Sequence, residues 1–293
     1  MRGCGAARGP APGALLCTVM LAVACASALK EPPPVEALGG TPAAPEGVVA
    51  TTAPEGAGAT PGPDELLRRA DAAWAGRGDA SASGAQAAVD QARQFYLAAA
   101  RADEADVAGL IGAARATTWL VEHEADAGRR AELATTAVQA GQWCQRRAPG
   151  DPRCDYWLAL GLGQQARERQ STALDGVDRM IELLRKTIAA DPALDEAGAH
   201  RALALVLLRA PGWPAGPGDA EAALAEARAA VALRPDFPPN QLVLAEALAR
   251  NGDPDGASAA LDRGAGLART RREAGDPDAA EWLAEAGRLR ESI

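Results

Sequence analysis

Aromatic residues are scarce in this chain, at 3 % of 293 residues. A β-sheet core wants many more aromatic and β-branched side chains than this, so sheet architectures are excluded. Lysine is nearly absent too. Lys30 and Lys186 are the only two, and the remaining basic residues are Arg. That bias points to a GC-rich genome, not to a mechanism. The net charge is -9, and acids lie among the arginines throughout. The concentrated basic patch that nucleic acid requires is missing, so nucleic acid is not an expected partner. Only His123 and His200 represent histidine, and no P-loop, glycine-rich nucleotide turn or serine elbow occurs. No catalytic residue, cofactor or metal site is therefore expected. His123 lies in Val-Glu-His-Glu, which lacks the HExxH spacing, and reads as an exposed helix end. His200 reads as a packed or solvated residue, and Glu122 and Glu124 as surface charges.

What is abundant is Ala, Leu, Glu and Arg in long stretches, a composition that favours helix. Helical segments are expected at 65–76, 85–101, 104–122, 129–146, 154–167, 171–190, 197–209, 219–233, 240–250 and 254–270. A closing helix at 277–291 would cap an otherwise exposed apolar end.

The first residues differ in kind. Arg2 and Arg8 precede an apolar run from Gly13 to Ala24, too short for a stable membrane span and suited to a signal-peptide core. The run ends in Leu21-Ala22-Val23-Ala24-Cys25, which resembles a bacterial lipobox with Cys25 as the lipidated residue. The competing cut follows Ala26-Ser27-Ala28 and would release a soluble chain beginning at Leu29. Lipidation is the favoured reading, and export follows from either. Residues 1–28 are thus assigned to a signal peptide, and residues 29–63, rich in Pro, Ala and Gly, to a disordered tether. Such a tether would hold the domain, residues 64–293, away from a membrane.

Within that domain, Gly218, Asp219, Ala223, Ala227 and Ala230 are echoed 34 residues later by Gly252, Asp253, Ala257, Leu261 and Gly264. Small residues at these positions let paired helices approach closely. Gly-Asp makes the turn and caps the second helix, and Pro ends it. Together with Trp157-Leu158-Ala159-Leu160-Gly161, Asp191-Pro192 and Pro235, these residues resemble the tetratricopeptide repeat. The resemblance is best over residues 154–270 and implies an all-α, right-handed solenoid of about five antiparallel helix pairs plus the capping helix. Pairs before residue 150 diverge from the consensus.

Two departures stand out. The helix at 171–190 is about two turns longer than the repeat implies. The turn from Arg209 to Gly218 is overlong and carries Trp213 between two prolines. The run Arg209-Ala-Pro-Gly-Trp-Pro214, with Pro235-Asp236-Phe237-Pro238-Pro239-Asn240 and Tyr156-Trp157-Leu158, is similar to tetratricopeptide lipoproteins associated with TRAP-type solute transporters. That likeness implies an apolar ligand channel and a solute-binding protein as partner. The broader repeat implies a scaffold for a protein partner in the cell envelope, non-enzymatic and tied to the membrane only through its lipid.

Aligning the first helices of three repeats places Leu158, Arg201 and Leu242 in one row of the concave face, and Leu162, Leu205 and Glu246 in the next. Four of the six are Leu, so the expected feature is an apolar groove, either open to a ligand or covered by another helix. Trp213 is expected to fold onto its own helices or to lid that groove. Cys144 and Cys154 flank a short break and are expected to form a disulfide in an oxidising periplasm.

Overall fold

The computed structural model describes residues 27–39, 61–78 and 81–293. Residues 1–26 of the expected signal peptide, with Cys25, and residues 40–60 of the expected tether lie outside them. Among the described residues eleven α-helices follow one another without a strand. They are α1 (Pro63–Ala75), α2 (Ala82–Ala102), α3 (Ala108–His123), α4 (Ala127–Arg147), α5 (Pro152–Glu168), α6 (Ala173–Ala190), α7 (Leu194–Arg209), α8 (Ala220–Leu233), α9 (Pro238–Arg250), α10 (Pro254–Glu273) and α11 (Ala279–Ser292). Among the described residues no helix is long and apolar enough to cross a membrane.

Local chemistry sets the helix starts. Ser81, Asp126, Asp151, Asp219 and Asp253 each accept a backbone N–H of the first turn they precede. Proline opens α1, α5, α9 and α10, where its missing donor costs nothing. α3 begins four residues later than its composition suggests. Asp103 and Asp106 capture the N–H groups of Ala105 and Ala108 and keep that stretch out of the helix.

Five antiparallel pairs, α1–α2 to α9–α10, stack in sequence, and α11 closes the array. The recurring small residues hold the pairs together. Ala223, Ala227, Ala230 and Ala257 are fully buried. Between α4 and α5, a Cβ on Gly141 would lie 2.8 Å from the Leu158 Cα, so only glycine permits that approach. The first helices of successive pairs touch one another and form the inner side. α6 is not exceptional in length: at 18 residues it is shorter than α2, α4 and α10. Its expected first turn is a 3-10 turn at Gln170–Thr172 instead.

The tether also differs from expectation. Residues 27–39 form an ordered strap across the outer helices. Ala28 N–H donates to the Asp175 carboxylate at 2.6 Å, Gln142 donates to the Lys30 carbonyl, and the Trp143 indole donates to the Pro33 carbonyl at 2.8 Å. Arg146 pairs with Glu31, and Arg101 donates to the Leu38 carbonyl. Val35 and Leu38 are buried among α2 and α4 residues. Proline removes backbone donors but leaves carbonyls, and side chains of α2 and α4 satisfy them.

Candidate functional site

The inner side is not the expected apolar groove. Leu158, Leu162 and Leu242 are at most 1 % exposed. They fill the contacts between helices and cannot meet a partner. Leu158 lies against Gly141 of α4, and Leu242 against Gly264 of α10. Leu205 packs on the same core as Leu158. Leu158, Leu162 and Leu242 lie on the expected helices but are taken up by contacts with neighbouring helices, whereas Leu205, like Arg201 and Glu246, is only half-buried. Arg201 and Glu246 remain polar features of the inner side. Arg201 bonds the Asn240 side chain at 3.0 Å and lies over the Phe237 ring, while Glu246 pairs with Arg209 at 3.0 Å.

α11 occupies part of this concavity. Its start is latched to the first pair, because the Arg77 guanidinium makes two hydrogen bonds to the Asp278 carboxylate, at 2.9 and 3.0 Å. Farther along α11, Glu281 faces His123 at 3.6 Å, and Trp282 packs edge-on against Phe237, ring centroids 5.4 Å apart. His123 is therefore no free helix end. Its ring stacks on Trp119, and its Nδ1 meets the Trp119 carbonyl at 2.8 Å. A carbonyl only accepts, so Nδ1 carries the proton and Nε2 faces Glu281. Burial alone would lower the His123 pKa, but Glu281, the Trp119 carbonyl and Glu122 together raise it. Glu122 still touches solvent, yet it faces the narrowed inner side, where loss of water and then the Glu281 charge push its carboxyl up. Burial raises Glu285 in the same way, whereas the His123 hydrogen bond lowers Glu281.

Beside the α11 start lies a pocket of about 500 Å³. Trp74, Arg77 and Arg115 line it from the first two pairs, Asp195, Glu196 and Phe237 from the middle, and Arg271, Asp276 and Trp282 from the end. Two guanidinium groups lie over the Trp74 ring, Arg77 at 4.4 Å and Arg115 at 4.5 Å from its centroid. Arg115 donates to the Tyr96 hydroxyl at 2.8 Å, but its Nε has no partner. Burial and the Asp71 hydrogen bond push the Tyr96 pKa up to about 12, so that hydroxyl stays protonated.

The pocket floor is a strained turn. Asp195, Glu196 and Ala197 have φ of 50, 56 and 63°, the left-handed region that costs L-residues energy. Tyr156, fully buried, donates to Asp195 at 2.5 Å, and Asn240 Nδ2 donates to the Glu196 carbonyl at 3.0 Å. Burial, with Asp195 beside it, holds the Tyr156 pKa well above its ordinary value.

Sequence reasoning missed Trp74, Arg115, Phe237 and Trp282 as a group. One signal was there: in a chain with six Trp and two Phe, three of those rings converge here. Trp213 does not join them. It stands 89 % exposed at the tip of its loop, neither packed on its helices nor closing the pocket. That loop is closed at its base by the Gly218 N–H donating to the Pro211 carbonyl at 2.8 Å. A Cβ on Gly218 would collide with the Ala210 carbonyl oxygen at 2.2 Å. His200 is packed between the helices of its pair and bonds Glu226 of α8 at 2.6 Å. The Cys144 and Cys154 sulfurs are bonded at 2.02 Å and buried between α4 and α5. Among the described residues no group of His, Cys, Asp and Glu comes together as a metal site.

No family model matches the sequence, and no curated protein matches it. Solved structures do. TTC0263, a thermophilic tetratricopeptide protein of Thermus thermophilus, superposes with a TM-score of 0.53 at 19 % identity, over 76 % of this chain and 98 % of that one. MamA gives a TM-score of 0.42 at 16 % identity, covering 64 % of this chain and 92 % of its own. YrrB, described as a tetratricopeptide protein with an unusual peptide-binding site, gives 0.38 at 16 % identity, with 61 % and 77 % covered. The likeness to TTC0263 concerns the fold, and the fold of this chain is the tetratricopeptide-like all-α solenoid.

Proposed function

We propose that this protein is a non-enzymatic scaffold of the cell envelope, exported and lipid-anchored at Cys25, that binds a segment of a protein partner in the inner pocket. One observation carries the reading. Arg115, whose Nε is a buried donor without a partner, lines a pocket walled by Trp74, Phe237 and Trp282. A buried unsatisfied donor costs about 1–3 kcal/mol, and an acceptor on a ligand removes that cost. Aromatic plates with a guanidinium suit a peptide segment that presents a carboxylate next to an apolar side chain. The strained turn beneath it fits the same reading, because such turns concentrate at ligand sites.

The transporter-associated alternative asked for an apolar channel. Leu158, Leu162 and Leu242 are consumed by helix packing, so nothing on this surface favours it.

The test is a peptide library scored by fluorescence anisotropy, with hits confirmed against envelope proteins. Arg115→Met is expected to weaken acidic-aromatic hits about tenfold, the loss of one charged hydrogen bond, with unchanged circular dichroism. Hits that bind Arg115→Met and Trp74→Ala as well as the parent would remove the pocket from the proposal.

A further inference from the structure

We propose that the strap orients the array on the membrane, so that the edge bearing the within-pair turns, with Leu174 and Trp213 exposed on it, lies against the bilayer. This rests on the anchoring reading above and goes beyond it. Cys25 is two residues before Ser27. Extended chain spans at most about 3.6 Å per residue, so a lipid on Cys25 enters the bilayer within about 7 Å of Ser27.

Ser27 and Ala28 are pinned. Both contact the Asp175 carboxylate, Ala28 through its N–H at 2.6 Å, and Ala28 is 6 % exposed. Its Cβ lies 3.5 Å from where a Cβ on Gly176 would sit. Because the strap precedes residues 40–60, that stretch separates strap from α1 and not anchor from array. The spacer expected between membrane and domain is thereby removed.

The edge brought to the membrane suits it. Leu174, next to Asp175, is 63 % exposed, and Trp213 is 89 % exposed. Both sit beside within-pair turns, α5–α6 and α7–α8, at the ends where α6 and α8 begin. Stretches 170–174 and 210–218 contain no charged residue. An indole on a rigid uncharged loop partitions to the headgroup layer.

The experiment uses the full exported chain, lipidation of Cys25 verified by mass spectrometry, reconstituted in phosphatidylcholine vesicles doped with brominated lipid. An environment-sensitive fluorophore is attached at Leu174→Cys or, on the opposite edge, at Asp236→Cys. The expected result is loss of most fluorescence at 174 and none at 236, with the loss at 174 relieved by Asp175→Ala. Lipidated protein that is unquenched at 174, equally quenched at both positions, or indifferent to Asp175→Ala overturns the orientation while leaving the anchor. An unlipidated Cys25 overturns the anchoring reading and this proposal with it.

Discussion

Arg77 and Asp278, 201 residues apart, form a two-point ion pair that joins the first helix pair to the start of the last helix. The side chains are 14 % and 31 % exposed. Pro277 presses on Gly78 alongside, where an added Cβ would lie 2.8 Å from the Pro277 Cβ. An array in which each pair contacts mainly its neighbours thus gains one contact between its ends.

Breaking this latch has a measurable cost. In a double-mutant cycle of Arg77→Ala and Asp278→Ala, the coupling is expected at about 1–2 kcal/mol, as for a charge-assisted bidentate pair that is partly buried. Urea unfolding supplies the numbers. Additive single variants would mean that the ends touch without holding each other.

The seat of α11 should respond to pH. His123, Glu122 and Glu285 have raised pKa values in the folded protein. Each contributes stability that is fully present below its unfolded pKa and is lost as pH rises through the raised folded value. Glu281 is lowered, so its share is present above its unfolded pKa and is lost only in stronger acid. Packing of α11 is therefore expected to loosen as pH climbs from about 5 to about 8. Protection factors of α11 amides, the observed exchange rates divided into the intrinsic rate at each pH, read this. Protection that falls on acidification across that range would contradict the sign.

The turn at Asp195–Ala197 offers an unusual gain. Glu196 has φ 56°, a conformation that glycine adopts at no steric cost. Glu196→Gly is expected to leave stability level or raise it by up to about 1 kcal/mol, the exposed pair with Arg234 being worth little. Tyr156→Phe should lower stability by about 2 kcal/mol, because Asp195 loses the buried hydroxyl that donates to it. Thermal melts of both variants check this, and a Glu196→Gly melt several degrees lower would show that the turn is not strained.

The Cys144–Cys154 bridge spans a sequence separation of 10. By loop-closure entropy it is expected to contribute about 2–3 kcal/mol. Cys144→Ala/Cys154→Ala should unfold at correspondingly lower denaturant. In unreduced, unfolded protein, alkylation should leave the mass unchanged, and two added labels would refute the bridge.

Much of the helix plan was legible because it is encoded locally. The Gly-Asp caps at Asp219 and Asp253 and the prolines opening α5, α9 and α10 act within a turn of themselves. The strap escaped notice because Val35 and Leu38 are too few to show a period, and their burial depends on α2 and α4 far along the chain. The pocket escaped for the same reason, since Trp74 and Trp282 have no relation in sequence. Leu158, Leu162 and Leu242 were placed on the wrong face because each first helix is apolar on two sides, one toward its pair and one toward the next.

By itself the sequence determined an all-α array of five pairs and a closing helix, through periods and caps that operate over a few residues. It also pointed to the pairing of Cys144 with Cys154. Only the tertiary structure decided which faces meet. It buried Leu158, Leu162 and Leu242 of the expected groove, seated α11 in the concavity through Arg77 and His123, laid residues 27–39 along the outer helices, and left Trp213 in solvent. The meeting of α11 with the first pairs depends on the superhelical path, which accumulates from small rotations between pairs that no single repeat specifies.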